Sequence, residues 1–187
     1  HTTGIIVKEA AEKTWLNRVP PPLVRRVERV RLYAPNLRDI ALQVPDYYFL
    51  TTDTPNLMRW LADEMRDQGV DLRLAQSFAG ASREPLTHRR RWHLPGIGRT
   101  HWLVGADGAK SRVAQRFDLG RVGHFLYGVE YEFAGLELIE PDALHCFVSK
   151  RLAPGYIGWA TQNPTGVQLG LAFRHRTSRT GTPDIDA

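Results

Sequence analysis

Residues 103–112, LVGADGAKSR, place a carboxylate between Gly105 and Gly108 directly after an apolar run. Glycine lets the backbone approach a ligand closely, and a helix that begins after such a turn presents unpaired N–H groups. Asp107 is therefore predicted either to cap this helix or to bind a ribose or ribityl hydroxyl, or a water, beside a diphosphate. Taken alone, these residues favour the helix cap.

Other residue types that could do chemistry lack the spacing for it. The seven His residues and Cys146 show no metal-ligand pattern, and His88 and His93 fall on opposite faces of a predicted strand. Ser111 has no Gly-x-Ser-x-Gly elbow around it, and Cys146 lies in an apolar strand where it is predicted to be core. The residues alone predict no metal site and leave the catalytic residues unknown.

The composition is that of a globular protein. Of the 187 residues, 42% are hydrophobic and 24% are charged, and no stretch approaches the roughly 18 apolar residues of a membrane span. The net charge of +5 allows an anionic partner such as nucleic acid, a phosphorylated cofactor or a membrane surface. A single cysteine excludes an internal disulfide and fits a reducing compartment, so a cytoplasmic location is expected.

The pattern along the chain predicts helices and strands that position these residues. Helices are expected over 4–18, 55–68 and 111–117. Strands are expected over 27–33, 38–44, 47–51, 70–74, 88–94, 100–104, 126–133, 144–148, 157–161 and 167–173. Helices mixed with a run of antiparallel strands predict a mixed α+β and α/β fold in two interleaved layers.

Three segments resemble the FAD-dependent oxidoreductases of the aromatic-hydroxylase and geranylgeranyl-reductase superfamily. HWLVGADGAKSRV is similar to their second fingerprint, an apolar strand followed by Gly-Ala-Asp-Gly, a small residue, Ser and a helix. Residues 53–74 resemble the helix and strand of this superfamily that follow an Asp-Arg pair. Residues 153–171, APGYIGWATQNPTGVQLGL, resemble the A-P-G-x-Y-x-W-x-F-P segment of the reductase branch. Together the segments indicate a resemblance over about residues 25–173.

The resemblance implies a reductase or monooxygenase that uses FAD, is linked to NAD(P)H and acts on a small hydrophobic substrate such as an isoprenoid or an aromatic compound. The residues expected to contact FAD are Gly105, Asp107, Gly108 and Ser111. Tyr156 and Trp159 would line the substrate, with sheet core as the alternative for both.

The same resemblance divides the chain into lobes. Residues 1–24 and 53–120 are assigned to part of a Rossmann-like FAD-binding lobe, residues 25–52 and 121–175 to an antiparallel-sheet substrate lobe, and residues 176–187 to a polar tail.

The chain departs from the family pattern where the cofactor diphosphate binds. Gly96 and Gly98 lack the third glycine of a Gly-x-Gly-x-x-Gly motif and join two predicted strands, and the distal Gly-Asp motif is missing. Thr54 and Ala114 stand where the family has Arg. We therefore expect this chain, as a middle segment or a degenerate flavoprotein, to bind FAD poorly or not at all.

A second class of function is a non-catalytic basic sheet that binds nucleic acid or an anionic surface. It depends on residues 88–93, HRRRWH, which combine three Arg and two His with an aromatic ring. A solvent-facing strand is the simpler interpretation, so no nucleic-acid partner is expected. A peripheral membrane contact and the oligomeric state are left open by the sequence.

Overall fold

The computed structural model describes residues 3–83 and 91–175, which fall into two compact units. Unit 1 runs to Leu72 and resumes at Leu126, and unit 2 is Arg73–Phe125. Several small sheets and few helices confirm the predicted mixed α+β class. The assignment of residue ranges to an FAD lobe and a substrate lobe stays a prediction.

The described residues contain twelve strands and three α-helices. The strands are β1 (Ile5–Val7), β2 (Val24–Val27), β3 (Arg29–Tyr33), β4 (Asp39–Leu42), β5 (Phe49–Thr52), β6 (Ser82–Arg83), β7 (Trp92–Leu94), β8 (Gly98–Thr100), β9 (Phe125–Ala134), β10 (Ala143–Phe147), β11 (Gly158–Gln162) and β12 (Gly166–His175). The helices are α1 (Lys8–Lys13), α2 (Thr54–Asp67) and α3 (Arg112–Arg116), with 3-10 turns at Trp15–Arg18 and Pro21–Leu23.

Unit 1 contains a three-stranded sheet in the order β1-β5-β2 and a six-stranded sheet in the order β4-β3-β10-β11-β12-β9. The pairs β10–β11 and β11–β12 are antiparallel, whereas β10 runs parallel to β3. Val27 from the smaller sheet is buried against Leu144, Cys146, Trp159 and Ala172 from the larger one. The two sheets therefore enclose one core.

Unit 2 is built from a small antiparallel sheet, β6-β7-β8, and helix α3. The ring of Phe117, at the end of α3, packs edge-on against Trp92 of β7 with centroids 4.8 Å apart. Ala81 and Val113 are buried in this unit. The aromatic contact ties the hairpin to the helix that follows the Gly-Ala-Asp-Gly turn.

Several sequence predictions are confirmed. The hairpin forms as β3 and β4, with Val30 opposite Leu42, and the four predicted strands from residue 126 onwards form as β9 to β12. Helix α2 begins where the Asp53 side chain accepts a hydrogen bond from the backbone N–H of Asn56, at 3.2 Å. Gly69, with φ +82°, follows its last turn as expected.

Three predicted elements are wrong or shorter than expected. Residues 5–7 form a strand instead of the start of a helix, because Ile5 pairs with Thr51 of β5 and this tertiary pairing overrides local helix propensity. Residues 70–74 form no strand. The strand expected over 100–104 ends at Thr100, and the residues beyond it have no strand partner in the described part of the chain.

The missing strand leaves apolar side chains in solvent. Trp102 is 84% exposed and Val104 is 82% exposed, although both lie in the run that leads to the Gly-Ala-Asp-Gly turn. Within residues 3–83 and 91–175, no helix is both long and apolar enough to cross a membrane. Residues 88–90 of the basic segment lie outside the described residues, while Arg91 is half-buried.

Candidate functional site

The Asp107 carboxylate caps helix α3. Its Oδ2 accepts hydrogen bonds from the backbone N–H of Arg112 at 2.6 Å and of Val113 at 3.3 Å. Its Oδ1 accepts from the hydroxyl of Ser111 at 2.5 Å, and the Ser111 oxygen in turn accepts from the N–H of Ala114 at 2.9 Å. The first N–H groups of this short helix are thus satisfied within the chain.

These hydrogen bonds hold the pKa of Asp107 below its ordinary value, with the Ser111 hydroxyl as the largest cause and the N–H groups of Arg112 and Val113 adding to it. The carboxylate is exposed and ionised at neutral pH. Because an ionised carboxylate has about four acceptor positions, three bonds leave it able to accept one more. The cap and a ligand contact are therefore compatible at Asp107.

The two glycines of the turn are required for different reasons. A Cβ on Gly105 would lie 2.7 Å from Cβ of Val113, so glycine allows the chain to pack directly on helix α3. Gly108 has φ +82°, a left-handed conformation that side chains disfavour, and a Cβ there would meet no atom within 4 Å. Backbone at Gly108 is consequently open to close approach by another molecule.

A cavity of about 580 Å³ adjoins this open position. Gly108 and Ser111 line it together with two cationic residues, Lys110 and Arg121. Gly105 and Asp107 do not line it, so the structure brings together two of the four residues that the sequence assigned to the cofactor. An accessible glycine backbone beside two positive charges suits an anionic group such as a diphosphate.

The two aromatic residues assigned to the substrate have different surroundings. Trp159 is 5% exposed and lies in the core of unit 1 beside Cys146. Tyr156 lies in the turn before β11 and is 45% exposed. The sheet-core alternative describes Trp159, whereas Tyr156 is accessible to a ligand. Their role in substrate binding stays a prediction.

Sequence reasoning missed a group of polar residues beside Trp159. Thr161 and Gln168 are fully buried, and Glu130 on β9 is half-buried. Burial raises the pKa of the Glu130 carboxyl, while Gln168 and Trp159 lower it and the charge of Glu132 raises it further. The available signal was Gln168 itself, an amide inside the otherwise apolar strand segment VQLGLAF.

The remaining candidates show no reactive geometry. In the described ranges, no group of three His, Cys, Asp or Glu side chains is placed to hold a metal ion. Cys146 is buried as predicted, and burial raises the pKa of its thiol. It therefore remains protonated and packs as an apolar residue.

Comparisons with known proteins relate the chain to flavoenzyme folds. No family model and no curated protein matches it. A geranylgeranyl bacteriochlorophyll reductase-like protein from Thermoplasma acidophilum is 15% identical, with a TM-score of 0.72 over 92% of this chain and 46% of that chain. CtdE, solved in complex with FAD, is 10% identical, with a TM-score of 0.59 over 95% of this chain and 50% of that one.

A further solved structure is 2,6-dihydroxypyridine-3-hydroxylase from Arthrobacter nicotinovorans, which is 12% identical with a TM-score of 0.58 over 97% of this chain and 48% of its own. The chain thus spans about half the length of the structures it matches. At these identities the similarity shows the fold. The similarity of fold to flavoenzyme structures is thus confirmed, while the GADG and APGYIGW motifs and the roles of their residues stay predictions.

Proposed function

We propose that this chain is part of an FAD-dependent oxidoreductase, a reductase or monooxygenase linked to NAD(P)H. The observation that carries the proposal is the cavity beside Gly108, lined by Lys110 and Arg121, in a fold shared with a protein solved in complex with FAD. The reductase-like and hydroxylase neighbours have the same fold and support the reaction class.

The residues at the cavity fit the diphosphate part of FAD. The open backbone at Gly108 can approach a phosphate oxygen, and Lys110 and Arg121 offset its negative charge. The free acceptor position of Asp107 suits a ribityl or ribose hydroxyl. When bound, FAD supplies the hydride-transfer or oxygen chemistry, and the residues of this chain bind and orient it.

A small hydrophobic substrate is the second part of the proposal. Tyr131 and Phe133 are two residues apart on β9, so they share one face of the strand, and they are 57% and 43% exposed. Tyr156 adds a third accessible ring. Accessible aromatic side chains on a sheet favour an isoprenoid or an aromatic compound over a polar substrate.

The test of FAD binding uses backbone NMR signals of the 187-residue chain. Adding FAD should shift the amide signals of Gly108 and Ser111 saturably, with a dissociation constant on the order of millimolar because only part of the cofactor is held. Pyrophosphate alone should shift the same signals and riboflavin should not. The absence of any shift at Gly108 and Ser111 with FAD would overturn this placement.

A charge-removing variant makes the test specific. Replacing Lys110 and Arg121 together by Ala should weaken FAD binding about tenfold or more, because each charge-assisted contact to phosphate is lost. The matched control replaces Lys150 and Arg151 by Ala, which removes the same charge from an exposed turn of unit 1. Equal weakening in both variants would indicate non-specific attraction and contradict the proposed site.

A further inference from the structure

Another cavity in unit 2, of about 640 Å³, is lined by side chains that the proposed function does not use. Its volume lies in the range of small-molecule sites. The lining combines two aromatic rings, two guanidinium groups and two aliphatic side chains, which are Trp92, Phe117, Arg83, Arg116, Leu103 and Val113. All six residues belong to unit 2, so the cavity is built within a single unit.

Strand register forms the aromatic wall of this cavity. Arg83 of β6 lies directly opposite Trp92 of β7 in the antiparallel pair, so their side chains share one face of the small sheet. The guanidinium carbon of Arg83 is 4.8 Å from the centroid of the Trp92 ring, and Phe117 packs edge-on against the same ring. Trp92 and Phe117 are only half-buried, so both keep aromatic surface open to the cavity.

Helix α3 supplies the opposite wall. Val113, Arg116 and Phe117 are three and four residues apart along the helix and its C-cap, so they project to the same side. Val113 is 5% exposed, whereas Arg116 is exposed and its guanidinium carbon is 5.8 Å from the centroid of the Phe117 ring. Leu103 adds a half-buried aliphatic side chain. The cavity therefore has an apolar interior and two exposed cations, Arg83 and Arg116, at its rim.

The two guanidinium groups at the rim are not neutralised by a neighbouring carboxylate. In the part of the chain that the structure describes, neither Arg83 nor Arg116 forms a salt bridge. Stacking on a ring uses the positive charge of a guanidinium, whereas its N–H donors form a fork that matches a carboxylate. Both residues can therefore stay on their rings and still bind an anionic group at the rim.

This combination selects one kind of ligand. A cationic ligand would be repelled by both guanidinium groups. A small anion without a ring would contact only exposed charges, and such pairs contribute little in water. An uncharged ring would fill the apolar interior but gain nothing from the two cations. A planar ring that carries a carboxylate uses both parts of the cavity, because burial of the ring and pairing of the charge occur together.

We infer that this cavity binds a planar aromatic acid, whose ring packs on Trp92 and Phe117 and whose carboxylate pairs with Arg83 and Arg116. The inference goes beyond FAD binding and does not rest on it. This cavity and the one beside Gly108 have Leu119 in common, but their cationic residues differ. Binding of an aromatic acid and binding of the cofactor diphosphate can therefore be tested separately, and either can fail alone.

The probe is 2-naphthoate, and the readout on the full 187-residue chain is the indole N–H signal of Trp92, assigned with Trp92→Phe. We expect 2-naphthoate to shift this signal saturably, with a dissociation constant on the order of millimolar for so small a ligand. The uncharged 2-naphthamide should bind about fivefold more weakly or worse, and acetate should cause no shift. No shift of the Trp92 signal with 2-naphthoate, or equal affinity for 2-naphthamide or acetate, would overturn the inference.

A pair of variants separates the site from general attraction by positive charge. Arg116→Gln removes one of the two rim cations and should weaken 2-naphthoate binding about five- to tenfold, while 2-naphthamide binding stays the same. Arg112→Gln is the matched control, because it removes the same charge from an exposed position of the same helix and keeps the backbone N–H that bonds to Asp107. It should leave 2-naphthoate binding unchanged. Equal weakening in both variants, or unchanged affinity in Arg116→Gln, would contradict the site.

Discussion

Asp107 in unit 2 and Glu130 in unit 1 are carboxylates in opposite surroundings. Asp107 is exposed and accepts three hydrogen bonds, which lower its pKa. Glu130 is half-buried, and burial raises its pKa. The Ser111 hydroxyl and nearby backbone N–H groups stabilise the first charge, whereas desolvation among strands distant in sequence opposes the second.

The glycines beside these carboxylates differ in the same way. Gly108 is needed for its left-handed backbone, since a side chain would find open space there. Gly170 is needed for space, because the indole of Trp159 lies where its Cβ would be. Local backbone conformation thus specifies the Gly-Ala-Asp-Gly turn of unit 2. Side-chain packing specifies the sheet face of unit 1 that carries Trp159.

The largest expected effect on stability is at Gly170, on the sheet face that carries Trp159. Gly170→Ala should lower the free energy of unfolding by about 3 kcal/mol, because the new methyl group displaces the Trp159 ring from the core. Gly158→Ala is the matched control on β11, where a Cβ would make an ordinary contact at 3.5 Å, and it should cost below about 1 kcal/mol. Urea unfolding measures both, and equal losses would refute the packing account.

Gly108→Ala should have a smaller effect that comes from backbone strain. Forcing an alanine into the left-handed region costs about 1–2 kcal/mol, while asparagine tolerates it better. Thermal unfolding of Gly108→Ala and Gly108→Asn compares the two directly. An alanine variant as stable as the asparagine variant would show that conformation does not specify this turn.

Removing the cap should loosen the start of helix α3. In Asp107→Ala, the amides of Arg112 and Val113 lose their acceptor and should exchange with deuterium roughly five- to tenfold faster. Asp107→Asn keeps one acceptor oxygen and should give an intermediate rate. Hydrogen exchange followed by NMR reports each amide separately. Unchanged rates in Asp107→Ala would mean that another group caps the helix.

The smallest effect is a pH dependence of opposite sign at the two carboxylates. Glu130, whose pKa is raised above 4.5, contributes stability at low pH that is lost as the pH rises through its folded-state pKa. Asp107, whose pKa is lowered below 3.8, contributes stability at higher pH that is lost as the pH falls through its folded-state pKa. The signs are opposite because the folded state favours the protonated form of Glu130 and the ionised form of Asp107.

The measurement is the urea midpoint as a function of pH for the wild-type chain and for Glu130→Gln. Relative to the variant, the wild-type chain should lose stability as the pH rises above about 4.5 and Glu130 ionises. The Asp107→Asn variant should instead lack the loss of stability that the wild-type chain shows in acid, below about pH 4. A Glu130→Gln profile parallel to that of the wild type would show that the carboxyl is hydrated in solution.

Much of the local structure could be predicted because its causes lie within a few residues. Helix α2 follows from Asp53, Pro55 and its apolar spacing, and the β3–β4 hairpin follows from alternation around one turn. The cap at Asp107 could be predicted for the same reason. The failed predictions, over residues 5–7, 70–74 and 100–104, concern strands, whose formation depends on a partner elsewhere in the chain.

The sequence by itself determined the mixed class, the starts of helices α2 and α3 and the glycine-bounded turn at Asp107, since short-range hydrogen bonds and backbone conformation control each of them. Only the tertiary structure decided that Glu130, Trp159 and Gln168 meet, and that Trp159 is core while Tyr156 is accessible. Strand order sets these contacts, and it results from burying the faces of two sheets against each other.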